Sequence, residues 1–116
     1  MATKAEIRDR AANDLGRLRI GQQQLTNEHQ VRIEAAYDEV YADLSDEGLA
    51  VWASDAAVPT KFVPHVVALV ADNCLNTYSV SNDRYIRIKN AVSIAKREIR
   101  RMATPEYEGL DDPEDF

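Results

Sequence analysis

At 116 residues the chain suits one domain, and 45% apolar residues supply a modest core. The formal charge of −6 is unevenly laid: the segment from Ala103 to Phe116 holds six acids and no base, leaving the residues before it neutral with 14 acids against 14 bases. No apolar run approaches the roughly 20 residues that span a bilayer, and the N-terminus lacks the basic-then-apolar pattern of a signal peptide, so the expectation is a soluble protein made in the cytoplasm, with no membrane partner.

Along the chain the apolar period is helical almost everywhere. Thr3 and Glu6 are spaced as a capping box ahead of Ile7, Ala11 and Leu15, and Gly16 is placed to end the first helix. "RLRIGQQQL", Arg17 to Leu25, has no clear period and reads as a loop. Thr26 offers the next cap, after which Ile33, Ala36, Tyr37, Val40 and Leu44 mark one face of a long helix that stops at Gly48. Leu49 to Val58 is too short for a further helix and reads as an ordered connector held down by Trp52, with a short strand compatible with it. Pro59 and Pro64 place the third helix at about Thr60 to Tyr78, regular after Pro64. It is apolar on most sides, as a central helix would be. Ser79, Ser81 and Asn82 cap a fourth helix whose stripe is Tyr85, Ile88, Val92, Ala95, Ile99 and Met102, and Pro105 marks its stop. The expected fold is therefore all-α, a small bundle of about four helices spanning 1–102, followed by an extended acidic C-terminal tail, 103–116.

Catalytic chemistry is not evident. A metal site or a triad needs several His, Cys or acids brought together, and the chain has two His and one Cys. His29 and His65 fall on different helices, with His29 read as plain surface at a helix start. Cys74 sits among Val70, Ala71 and Leu75, where a buried reduced thiol is the simple reading. The expectation is a non-enzyme without cofactor or metal.

Three features stand out. The fourth helix carries a basic face, Arg84, Arg87, Lys89, Lys96, Arg97, Arg100 and Arg101, able to meet phosphates, an acidic partner or only water. His65, Asp72 and Asn76 form a polar stripe on the third helix, suited either to a neighbouring subunit or to a satisfied network in the core. The tail sets Tyr107, Leu110 and Phe116 among acids that include Glu106, Glu108, Asp111 and Asp112. Charge brings such a segment to a basic surface, and its apolar side chains hold it there.

In helix order and spacing, "RAANDLGRLRIG" (Arg10 to Gly21), "AAYDEVYADLSDEGLAVW" (Ala35 to Trp52), "VPTKFVPHVVALVADNCLNTYSV" (Val58 to Val80) and the basic last helix together resemble the head-to-tail adaptor, or head-completion, proteins of tailed bacteriophages. The resemblance implies a structural virion protein at the neck: a homo-oligomeric ring, typically of twelve copies, that docks beneath the portal protein, extends its C-terminal tail along the portal and offers its lower face to tail or nozzle proteins. DNA would pass through the ring without sequence-specific binding. The competing expectation is a small helical DNA-binding regulator whose acidic tail folds back on its last helix; the neutral charge of the body weighs against it. An acidic DNA mimic needs acids dispersed over one face, whereas here they gather at one end.

Overall fold

The computed structural model describes residues 1–16, 27–75 and 77–103, and these form an all-α bundle of four helices. In chain order they are α1 (Lys4–Asp14), α2 (Asn27–Asp46), α3 (Val63–Cys74), preceded by a 3-10 turn at Thr60–Phe62, and α4 (Asn82–Ala103). The expected extended tail, like the loop after Gly16, lies outside the described residues.

Local chemistry sets the helix ends. Thr3 Oγ1 accepts the Glu6 backbone N–H at 3.2 Å while Glu6 Oε1 accepts the Thr3 N–H at 2.8 Å, closing the capping box that starts α1. Hydrogen bonding to the carboxyl, first from the Thr3 backbone N–H and then from the Thr3 side chain, holds Glu6 below its ordinary range. At the far end of α2, Gly48 takes φ +75, its N–H bonds Ser45 O, and the Leu49 N–H reaches back to Leu44 O at 2.7 Å. That paired pattern needs a left-handed residue after the helix, which only glycine supplies without strain. Ser81 caps α4, its Oγ accepting the Arg84 N–H at 3.3 Å. Pro64 falls in the first turn of α3, where no helical hydrogen bond is lost.

Helix α3 packs against each of the other three, so its apolar sides are shared out: Val63, Val66, Val67, Val70, Ala71 and Cys74 are all buried. Against it α2 buries Ile33, Ala36, Tyr37, Val40 and Leu44, the five residues its period picks out, and α1 buries Ile7, Ala11 and Ala12. Burial pushes the Cys74 thiol up to about 11, so it stays a protonated packing group.

The connector between α2 and α3 is ordered around Trp52. Its ring lies 5.2 Å from Phe62 and meets Tyr41 edge-on at 6.0 Å, its Nε1–H donates to Tyr37 Oη at 3.2 Å, and Tyr41 Oη donates to the Trp52 carbonyl at 2.7 Å. Burying the 150–250 Å² of such a ring contributes about 4–6 kcal/mol of gross transfer free energy. The strand compatible with this stretch reduces to one antiparallel bridge, in which Ala2 and Val58 exchange backbone hydrogen bonds at 3.0 and 2.7 Å. One bridge ties the N-terminus to the connector without a sheet.

Three expectations need correction. Regular α3 ends at Cys74 rather than near Tyr78, where the chain tightens into turns: the Leu75 N–H bonds Asp72 O and the Thr77 N–H bonds Cys74 O, each three residues back. These turns let Tyr78 Oη meet His29 Nδ1 at 2.8 Å, so His29 is half-buried and bonded rather than plain surface. Tyr85, assigned to the buried stripe of α4, is 46% exposed, with the Lys89 ammonium 5.7 Å from its ring centre. The buried stripe is Ile88, Val92, Ala95 and Ile99, with Met102 partly covered.

Candidate functional site

The charged helix α4 is where most of the sequence-predicted residues meet, and the fold gives them different tasks. Arg84 is half-buried and leaves the basic face: its Nη1 donates to the carbonyls of Asn13 and Asp14 at 3.1 and 3.0 Å, satisfying the C-terminal end of α1. A Cβ on Gly16, which has φ +77, would come 3.2 Å from the Arg84 guanidinium, so this glycine serves both the helix stop and the close approach of α4. Arg84 and Arg87 oppose the desolvation that raises the Asp14 carboxyl.

Along the α3–α4 seam Asp72 of the polar stripe turns toward its own chain. Lys89 Nζ stands 2.8 Å from Asp72 Oδ1, an oxygen shielded from solvent. The distance suits a hydrogen bond while no aligned hydrogen bond reaches that oxygen, so geometry makes the contact an ion pair; it raises the Lys89 ammonium above its ordinary value. His65 is half-buried in the first turn of α3, and on α4 the hydrogen bond from Arg101 holds the Glu98 carboxyl below its ordinary range. Asp72 thus works across α3 and α4 inside one chain. Asn76, the third residue of the stripe, lies outside the described residues.

Arg101 donates to Glu98 Oε1 through Nε at 3.0 Å and Nη2 at 2.7 Å, and Arg100 Nη2 reaches Glu47 Oε1 at 3.4 Å. Arg87, Lys96 and Arg97 make no ion pair among the described residues. Between the C-terminal halves of α2 and α4 opens a cleft of about 220 Å³, with Leu44, Leu69 and Ile99 in its floor, Asp43 and Glu47 on one rim, and Lys96 and Arg100 on the other. Its mixed rim gives no single-sign pull on a small ion; its size suits an apolar side chain.

Periodicity alone passed over a second feature of α4. Ile86 and Ile94 are 49% and 47% exposed on the side away from the core, with Asn90 between them and the exposed Arg97 and Arg101 continuing the line. Both isoleucines fall off the buried stripe, and that departure was the signal in the sequence. Across the bundle, Val31 on α2 is 62% exposed. The tail residues Glu106, Tyr107, Glu108, Leu110, Asp111, Asp112 and Phe116 lie outside the described residues.

Among the described residues no three or more His, Cys, Asp or Glu gather as metal ligands, and no helix is long and apolar enough to cross a membrane. Among the described residues the arrangement presents charged, partly apolar helix faces. No protein-family model, curated protein or solved structure matches the chain.

Proposed function

We propose that the chain is a structural protein of a tailed-bacteriophage particle, a head-to-tail adaptor that assembles as a ring at the neck, docks beneath the portal through its acidic tail and lets DNA pass. The observation that carries this reading is the division of the chain at Ala103. Up to that point stands a helical body closed over its own core, with Ile99 in the last turns of α4 fully buried. Immediately after it comes a stretch of acids with three large apolar side chains and no base. Ordering each residue costs about 1–2 kcal/mol of backbone entropy, more than three apolar side chains return on the surface of a monomer, so the tail calls for a partner with basic ground and apolar pockets. Thirteen residues, if extended, would reach about 40 Å, far enough to enter a neighbouring ring.

The deciding measurement is sedimentation of the full chain with assembled portal rings. A stoichiometric complex that weakens as salt rises, and is lost on removal of Glu106 to Phe116, supports the adaptor. Equal binding by the truncated chain overturns it, and salt-sensitive binding of duplex DNA by the protein alone supports the regulator instead.

A further inference from the structure

Helices α2 and α4 carry opposite charge on opposite flanks of α3. α2 holds six acids against Arg32 alone, whereas α4 holds seven bases against Asp83 and Glu98. Each helix buries one stripe in the core and leaves an outer face uncovered, and on both outer faces apolar side chains stand in the middle of the charge. On α2 the exposed line is Val31, Ala35, Asp38 and Ala42, at steps of four, three and four residues, with the exposed Glu28 and Asp46 at its ends. On α4 it is Ile86, Asn90 and Ile94, with Asp83 at one end, Arg97 and Arg101 at the other and Arg87 beside it, all exposed.

The two faces fit one another. The helices are about 30 and 33 Å long. Ile86 and Ile94 stand about 12 Å apart along α4, within the roughly 16 Å that separates Val31 from Ala42 on α2. Two branched side chains can seat over the small residues Ala35 and Ala42, with Asp38 between them drawn aside to Lys4 of α1 at 2.8 Å, as ridges enter grooves between packed helices. Because Arg87 stands beside the isoleucine pair and Arg97 beyond it, with Asp83 the one acid on that line, while Glu28 and Asp46 end the Val31–Ala42 line, closure sets a mainly basic face against an acidic one. Glu28, Asp46, Arg87 and Arg97 make no ion pair among the described residues, so they remain available for it.

We propose that the outer face of α2 on one copy of this chain docks on the outer face of α4 on the next. The contact is heterologous, since the two surfaces differ and every copy carries both. Repeated, it closes into a ring or runs on as a filament according to the rotation between copies. It deepens the adaptor reading by naming the surface through which copies meet, and it requires no portal.

The test reverses each face separately and then mixes them. One variant carries Glu28→Arg with Asp46→Arg, making α2 basic; the other carries Arg87→Glu with Arg97→Glu, making α4 acidic. Sedimentation should find the native chain self-associating, more weakly as salt rises, and each variant associating about a hundredfold more weakly. An equimolar mixture should recover association, because each reversed face then meets a complementary one on the other variant. A native chain that stays monomeric at millimolar concentration in low salt overturns the proposal. So does unchanged association of either variant, or a mixture that stays apart while circular dichroism finds both variants helical. If a double variant does not fold, Ile94→Ser, at an exposed position, serves instead: at least tenfold weaker association is expected, and native-like association overturns the contact. A chain that binds portal rings while these variants self-associate unchanged overturns this interface and leaves the adaptor standing. Recovery in the mixture with no binding to portal rings does the reverse.

Discussion

The two flanks of α3 are built differently. On one side α1, α2 and the connector form a mutually bonded unit: α1 and α2 pack on each other as well as on α3, Trp52 joins Tyr37, Tyr41 and Phe62, and Ala2 bridges Val58. On the other side α4 makes its main contact with α3, through Ile88, Val92, Ala95 and Ile99, supplemented by the Arg84 cap and by ion pairs that are largely exposed. Exposed ion pairs add little to stability, so the grip on α4 is its apolar stripe. Tight packing on several sides leaves a helix committed to its own chain, whereas a helix held along one stripe keeps its remaining surface for other contacts.

The largest expected effect breaks the bonded flank. Trp52→Ala should cost about 3–5 kcal/mol, by removing a buried ring and stranding the hydroxyl of Tyr37, and thermal unfolding should fall accordingly. Amide exchange should accelerate throughout the bundle. A loss confined to the connector would show that the connector is an appendage and that α1 to α3 stand without it.

Ile99→Ala strikes the other flank and should cost about 2–4 kcal/mol. Here the readout that sharpens the comparison is local: α4 amides should lose protection before those of α2 and α3. Uniform loss across all four helices would mean that α4 is as integral as the rest.

Thr3→Ala should cost about 1 kcal/mol by opening the α1 cap. Its partner Glu6 has a folded-state pKa below the ordinary value of 4.5, so its contribution is present above that value and is lost as pH falls through the lower one. Glu6→Gln should therefore melt lower than the native chain at pH 7, and the difference should close as pH falls through the lowered pKa of Glu6. A difference constant with pH would place the effect elsewhere than in the carboxylate.

The smallest effect is expected at the seam between the flanks. Asp72→Leu removes the partner of an exposed lysine that can turn to solvent, so the melting temperature should change by only a few degrees. A collapse of stability would show the Asp72 carboxylate to be part of a buried network essential to the fold.

Much of this molecule was readable one helix at a time. The five buried residues of α2, the Thr3 and Ser81 caps, the stops at Gly16 and Gly48 and the anchoring by Trp52 all follow from interactions within a few turns of chain, where spacing and residue type suffice. The pairing of Tyr78 with His29 and the shortened α3 were not legible, because the turn after Cys74 depends on what α2 presents across a gap of 49 residues. Tyr85 misled for a related reason: a residue at the right step lies at the end of the stripe, and whether α3 reaches far enough to cover it is a matter of helix crossing, which period does not carry.

Charge followed the same division. The sequence by itself determined that the acids and bases are segregated, that the tail is acidic and that α4 is basic, since composition and helical period need no partner to be read. Only the tertiary structure decided what each base does. It turned Arg84 inward to the end of α1, set Lys89 against Asp72, and left Arg87 and Arg97 beside two uncovered isoleucines, opposite in the bundle to an acidic face with an uncovered valine. Electrostatic and apolar contacts act over a few ångströms between residues far apart in the chain, so the identity of each side chain's neighbours comes into being only when the helices pack.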